Sequence, residues 1–337
     1  MLNKGVTVMD LFESLKAKIS GKNISLVFPE GSDVRVVEAA IRLAQDDLVK
    51  PVVLGAQDVV SATAKEAGFE LPADLEVLDP KTYPQADFDE MVAAFVERRK
   101  GKNTEEQARQ MLQDENYFGT MLVYMKKVDG LVSGAIHPTG DTVRPALQLV
   151  KTKPGVSRTS GAFLMTRNND TERYLFADCA ININPDAQAL AEIAVESAKT
   201  ARLFDIDPKV AMLSFSTKGS AKSDEVTKVQ EATKIAQELA PDEAIEGELQ
   251  FDASFVAEVA AQKAPGSKVA GQANVFVFPE LQSGNIGYKM AQRFGNFKAV
   301  GPILQGLNAP ISDLSRGCSA QEVYDVSLIT AAQALQD

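Results

Sequence analysis

Short apolar runs alternate with stretches of helical periodicity along nearly the whole chain. The runs ISLVFP (24–29), PVVLG (51–55), LEVLD (75–79) and GLVSG (130–134) read as buried strands. Between them apolar positions recur at helical spacing and predict helices over 34–44, 59–67, 88–99 and 105–126. Strand and helix in regular turn imply parallel strands with helices on both faces of a sheet. The pattern breaks near 150, at the connector KTKPGVSRT (151–159), which marks a domain boundary. The runs SGAFLMT and RYLFADCAIN then flank the polar turn Arg167-Asn168-Asn169-Asp170, a hairpin signal that puts an antiparallel element in the second sheet. Alternation resumes with helix 187–203, strand 210–216, helix 225–239, strand 248–252, helix 255–263, strand 274–279, helix 286–294 and strand 298–304. A last helix carries Val323, Val326, Leu328 and Ile329 at helical spacing, and the N-terminal stretch is an amphipathic helix with Val8, Leu11, Phe12 and Leu15 on one face. The expected fold is α/β, two three-layer α/β/α domains with mostly parallel sheets, 1–150 and 151–314.

Three segments gather residues able to do chemistry. QGLNAPISDLSRGCSAQEVYD (305–325) carries Asp313, Ser315, Arg316 and Glu322 on a turn that opens the last helix, with Asp313 or Ser315 as its expected cap. AMLSFSTKGSAKSDE (211–225) runs a strand into a loop holding Ser216, Thr217 and Lys218, and then a helix. GLVSGAIHPTGDTVRPALQ (130–148) repeats the design with Ser133, Thr139 and a helix entered near Asp141, with Arg144 in its first turn. Glycine, hydroxyls and one cation at a helix start suit an anion at the carboxyl edge of a parallel sheet. One such loop is an ordinary turn, but three in one chain point to a phosphorylated ligand.

Composition narrows the chemistry further. A length of 337 residues permits two domains, and 45% hydrophobic with 24% charged residues is ordinary for a soluble globular protein. The net charge of −11 argues against a nucleic-acid surface. No run has membrane-spanning length, and the N-terminus lacks the continuous apolar core of a signal peptide. Together with only two cysteines, Cys179 and Cys318, this gives a cytoplasmic expectation. His137 is the single histidine, so a multi-histidine metal site is impossible; it either hydrogen-bonds its loop or touches substrate. CxxC, HExxH, GxSxG, GxGxxG and GxxxxGK[ST] are all missing. Cys318 is expected to pack under its turn rather than act as a nucleophile.

The segments SGAIHPTGDTVRPALQ, FADCAINI, AMLSFSTKGSAKSDE, FPELQSGNIGYKMAQR and GPILQGLNAPISDLSRGCSAQEVYD resemble phosphotransacetylase, the phosphate acetyltransferases that interconvert acetyl phosphate and acetyl-CoA. The likeness extends from FPEGSDVRV to ITAAQAL, and DLSRGC with STKGSAKS in order is highly specific. It implies a fold like isocitrate and isopropylmalate dehydrogenases, a cleft between the domains, a homodimer, and a C-terminal segment (about 315–337) that rejoins the first domain. Carried over by position, Ser315 and Arg316 are the catalytic pair, and Glu322 falls where some members carry an Asp proposed as general base; Asp313 is the other carboxylate able to deprotonate the thiol. Arg144 and Arg99 hold the phosphoryl group, although Arg98 beside Arg99 leaves that match open. From the loop reading, Ser133, Thr139, Ser216, Thr217 and Lys218 join the substrate set; Arg293 matches a family position that contacts CoA, and Lys289 beside it is expected to do the same. Two departures stand out: Glu322 where some members carry Asp, and HPTGD where relatives commonly have Thr-Ala-Asp.

The chemistry suits those residues. Acyl transfer between phosphate and a thiol needs cations, a base for a thiol of pKa about 8.5 and an oxyanion donor, but no metal or redox cofactor. The reading is direct attack of the CoA thiolate on acetyl phosphate in a ternary complex, with CoA a substrate and no acetyl-enzyme. Phosphate butyryltransferase is the near alternative, differing in pocket volume. A metal-dependent NAD(P) dehydrogenase of the same fold and a catalytically silent binding module are the alternatives from other classes.

Overall fold

The computed structural model describes residues 10–336. The first helix, α1 (Leu11–Ile19), buries Leu11, Leu15 and Ile19 and leaves Phe12 half-buried; Val8 lies outside the described residues. The chain then alternates through β1 (Ser25–Phe28), α2 (Val34–Gln45), β2 (Lys50–Leu54), α3 (Gln57–Glu66), β3 (Glu76–Leu78) and α4 (Gln85–Arg99). The stretch 105–126, expected as one helix, is two: α5 (Glu105–Met111) and α6 (Glu115–Tyr124). The break falls at Asp114, whose carboxylate accepts from the Asn116 and Tyr117 N–H groups and so starts a new helix. After β4 (Gly130–Ser133) comes α7 (Thr139–Pro145), continued by a wide helical turn over Ala146–Val150. Arg144 therefore lies in the last turn of a short helix and not in its first turn, as its spacing from Asp141 had suggested.

The next stretch runs through β5 (Ser160–Arg167), β6 (Glu172–Ala177), α8 (Ala187–Leu203), β7 (Lys209–Leu213), α9 (Asp224–Leu239) and β8 (Ala244–Leu249). β8 starts ahead of the run ELQFD and ends at Leu249 within it, and the aromatic end of the run enters α10 (Phe251–Phe255), followed by α11 (Ala257–Lys263). β9 (Val275–Val277), α12 (Leu281–Phe294) and β10 (Lys298–Gln305) follow. α12 starts ahead of its apolar periodicity because Glu280 caps it, accepting from Gln282 and Ser283 N–H. A strand unseen in the sequence, β11 (Ile311–Asp313), leads to α13 (Ala320–Gln333).

Two units result, each with its own sheet. One covers Phe12–Thr152 and takes in the chain again from Leu307; the other is Lys153–Gly306, to which the start of the chain as far as Leu11 is also assigned. The sheet of the first has the order β11-β4-β1-β2-β3 and is parallel throughout. β11 enters it beside β4, so the chain returns before the point near 315 given by the resemblance. α13 packs on α2, β4 and β11, and Ser312 and Thr330 share a buried hydroxyl contact of 2.7 Å. The second sheet has the order β10-β5-β6-β9-β7-β8; β10, β5 and β6 are antiparallel neighbours and the rest pair in parallel. Its core gathers Phe163, Met165, Phe176, Leu213 and Phe276, each worth about 1.5–3 kcal/mol of burial. Among the described residues no helix is long and apolar enough to cross a membrane.

Candidate active site

In the first unit the reactive turn is built at the end of β11. Asp313 closes the ladder with Ser133, and Leu314 N–H donates to the Ser133 carbonyl at 2.7 Å. The chain then turns tightly: Cys318 N–H donates to the Ser315 carbonyl (2.9 Å) and Gly317 N–H to Ser315 Oγ (3.3 Å). This turn presents Ser315 and Arg316 to solvent and leaves Cys318 beneath them, where burial pushes its thiol pKa up. A protonated, covered thiol is a packing residue.

The helix after the turn does not start where the sequence suggested. Ser319, not Asp313 or Ser315, caps α13, and Glu322 completes a capping box. Glu322 Oε2 accepts from Ser319 N–H (2.8 Å) and Ser319 Oγ (3.0 Å), while Glu322 N–H donates to Ser319 Oγ. The S-x-x-E spacing is a readable local signal for this arrangement. Glu322 thus already has a structural task. Glu322→Gln, which keeps the box because Gln also fits it, should retain its rate at every pH; a loss of about tenfold at neutral pH, restored by alkali, would return the base role to Glu322.

Asp313 is placed differently. It is 5% exposed, Thr139 Oγ1 donates to its Oδ2 at 2.7 Å, and its Oδ1 has no hydrogen-bond partner among the described residues. Burial raises its carboxyl pKa, opposed by the hydroxyl bonds and assisted by the nearby charge of Glu30. A buried carboxylate with one unpaired oxygen and an elevated pKa sits in surroundings that favour its protonated form. Gly134 makes this fit possible: its φ is +113° and a Cβ there would lie 2.6 Å from Asp313 Oδ1.

The bond from Thr139 to Asp313 ties this turn to α7, which carries Arg144. The Arg144 side chain is 61% exposed and 3.9 Å from Asp141. With Arg98, Arg99, Lys100, Lys102 and Lys151 it lines a pocket of about 530 Å³ that includes no acidic residue. Burial, then repulsion from Arg98, Lys100, Lys102 and Arg99, lowers the Lys151 pKa. The open choice between Arg98 and Arg99 has a physical answer. Arg98 donates to the carbonyls of Leu149 (2.5 Å) and Val150 (2.9 Å) and stacks on Tyr124, whereas Arg99 uses its Nε on Asn103 (3.0 Å). Arg98 holds the wall, and Arg99 is the residue with donors to offer an anion. Lys100, Lys102 and Lys151 line this pocket without a sequence signal, because alone they look like a solvated helix end and a linker.

A further residue that the motifs do not single out is Arg35, in the first turn of α2. Its guanidinium donates to the carbonyls of Arg316 (2.9 Å), Cys318 (2.9 Å) and Ala135 (2.8 Å) while paired with Asp33 at 2.8 Å. It therefore staples the Ser315-Arg316 turn to the loop after β4. Its partners lie about a hundred or more positions away in sequence, so only the Asp33–Arg35 spacing hinted at it.

Several expected ligand contacts face inward instead. Ser133 is fully buried and donates to Asn116 Oδ1 at 2.7 Å. In the second unit Ser216 is fully buried against Glu248 (2.8 Å), and Thr217 exchanges hydrogen bonds with Gln250. Lys218 reaches Glu246 at 3.2 Å. This loop wraps an internal carboxylate, Glu248, which also accepts from Gly219 N–H at 2.6 Å and is held below the usual carboxylate range by such bonds despite burial. The hydroxyls of Ser133, Ser216 and Thr217 shape loops; the anion they pointed to in the STKGS segment is the protein's own. Lys289 and Arg293 lie one turn apart on α12, both exposed.

A family model described as phosphate acetyl/butaryl transferase matches residues 10–331. The chain belongs to this family. It is 61% identical over 326 residues to a phosphate acetyltransferase of Bacillus subtilis, covering 97% of this chain and 99% of the relative. The crystal structure of a phosphotransacetylase from Streptococcus pyogenes superposes with a TM-score of 0.94 at 62% identity, over 98% of this chain and all of the other. A 4-hydroxythreonine-4-phosphate dehydrogenase assignment from Salmonella typhimurium, at 13% identity and a TM-score of 0.52 over 93% of this chain and 99% of that one, shares the fold alone. The resemblance read from DLSRGC and STKGSAKS therefore holds over nearly the full length, and the dehydrogenase kinship is one of architecture.

Proposed function

We propose that the protein is a phosphate acetyltransferase, moving an acetyl group reversibly between the sulfur of CoA and phosphate. The observation that carries this reading is the cation-lined pocket around Arg99 and Arg144, in a unit whose buried Asp313 is bonded to the same helix. The CoA thiol loses its proton to Asp313, the thiolate attacks the acetyl carbonyl carbon of acetyl phosphate, and the carbon–oxygen bond to phosphate breaks. Arg144, Arg99 and Arg316 neutralise the phosphate, and Ser315 donates to the developing oxyanion. No step requires a metal or redox cofactor. Asp313 replaces Glu322 as the preferred base, since the carboxylate of Glu322 serves its helix cap. The same proposal includes a homodimer and a cytoplasmic location, supported by the resemblance and by two thiols that remain free and buried.

The deciding experiment is thiol release from acetyl-CoA with and without phosphate, in the presence of chelator and without NAD. Phosphate-dependent turnover that survives chelator is expected; a requirement for nicotinamide or a divalent metal would overturn the reading. Butyryl-CoA in a parallel arm measures the acyl-chain limit. Arg293→Ala tests the CoA end. If Arg293 meets only the nucleotide part, its contribution is uniform between ground and transition state. The KM for CoA should then rise by about tenfold with a smaller change in kcat, the loss of one charged contact of roughly 1.4 kcal/mol; an unchanged KM removes Arg293 from the site.

A further inference from the structure

In the first unit the strand order reverses between β1 and β4, the place where open parallel sheets receive ligands beyond their carboxyl ends. The loop leaving β4 presents four successive backbone N–H groups there, from Gly134 to His137, a concavity suited to an anion. That concavity is already filled. Glu30, just past the end of β1, places its carboxylate in it: Oε2 accepts from Gly134 (3.0 Å) and Ala135 (2.8 Å), and Oε1 from Ile136 (2.9 Å) and His137 (3.0 Å). The His137 ring adds Nδ1 at 2.8 Å from Oε1. The Glu30 side chain is fully buried, and these contacts saturate the roughly four lone-pair directions of a carboxylate.

The loop so fixed runs straight into the site. Pro138 stands at the N-cap position of α7, Thr139 donates to Asp313, Gly134 packs against Asp313, and Arg144 lies in the helix's last turn. We propose that Glu30 is a positioning residue for acyl transfer: an internal anion that occupies the sheet's ligand crevice and thereby sets Thr139, Asp313 and Arg144 in register. The inference rests on the acetyltransferase reading above. It accounts for the cation-lined pocket lying beside α7 and the end of α4, away from the crevice between β1 and β4. Removing the carboxylate leaves the loop's N–H groups unpaired, and Gln, with one acceptor oxygen, pairs only part of them; either change lets α7 shift, and a displacement of about 1 Å is enough to cost on the order of a hundredfold in rate.

The test uses Glu30→Ala and Glu30→Gln in the full chain, with far-UV circular dichroism as the fold control. A pocket of about 250 Å³, lined by Glu30, His137, Ser32, Lys81 and Gln113 among others, adjoins this place and has room for a small carboxylate once the side chain is cut back. Both variants should lose about ten- to a hundredfold in kcat with the KM for CoA changed far less. Added formate should restore part of the kcat of Glu30→Ala and raise its Tm, with chloride at equal ionic strength and the wild type in formate as controls. A merely structural role predicts no formate-dependent kcat. A folded variant with wild-type kcat, or a folded Glu30→Ala that formate neither accelerates nor stabilises, would overturn the proposal. If Glu30→Ala does not fold, the kcat of Glu30→Gln decides; if neither folds, Glu30 is a folding element only and the proposal fails. A wild-type chain without phosphate-dependent thiol release fails the acetyltransferase reading itself, a different result from an active wild type with indifferent variants.

Discussion

Arg316→Lys is expected to lose roughly a hundredfold or more in kcat/KM, about 2.7 kcal/mol of transition-state stabilisation, while remaining folded. The charge survives the substitution; the planar fork that matches two phosphate oxygens does not. The fold should survive because the turn is held through backbone. Arg35 donates to the Arg316 carbonyl, Cys318 N–H to the Ser315 carbonyl, and Ser319 with Glu322 caps the helix behind it. None of these contacts uses the Arg316 guanidinium. Steady-state kinetics with acetyl phosphate and CoA, beside a thermal melt, separate the two effects. Near-wild-type kinetics in a folded Arg316→Lys would remove this residue from the chemistry.

Asp313→Asn should separate rate from stability in the opposite sense. A thiol of pKa about 8.5 is only a few per cent ionised at neutral pH, so losing its base should lower kcat by about ten- to a hundredfold, with much of that recovered at alkaline pH. Stability should move the other way. Burial raises the Asp313 pKa above its ordinary value of 3.8, so the folded chain binds the proton more tightly than the unfolded one. Stability from this group is therefore greatest below the ordinary carboxylate pKa, and falls as pH rises through the interval up to the folded value. Above that interval the wild type carries a buried charge with one oxygen unpartnered, whereas Asn carries none and still accepts from Thr139. The variant should melt at or above the wild-type temperature at neutral pH and lose that advantage in acid. A variant with undiminished kcat at neutral pH would eliminate Asp313 as the base.

Much of this protein is legible in its sequence because the signals are local. Apolar runs and helical spacing place β1 to β4 and α8 and α9 where they occur, since burial of a strand or of one helix face is decided by neighbours within a few positions. Local signals also mislead when two compete. Residues 105–126 look like one helix, but Asp114 opens a second, and the last helix starts at its Ser319–Glu322 box although Asp313 and Ser315 were equally plausible caps by composition. Glycine-and-hydroxyl loops announce an anion without saying whose it is. For STKGS the anion is the internal Glu248, and for the loop after β4 it is Glu30.

By itself, the sequence determined the α/β alternation, the hairpin in the second sheet and the family, and it named Ser315, Arg316, Arg144 and one of Arg98 and Arg99 as candidates to meet substrate. Only the tertiary structure decided which of those polar groups is free to meet a ligand. Ser133, Ser216 and Thr217 turn inward, Arg98 is committed to two carbonyls, Lys151 joins a pocket of cations, and Arg35 and Glu30 reach across a hundred positions or more to hold the turns in place. The reason is physical: residue type and spacing govern local conformation, whereas availability depends on which donors and acceptors elsewhere in the chain have already been satisfied. Such pairing is a property of the folded unit, set by the order of its strands and by what each loop meets at their ends.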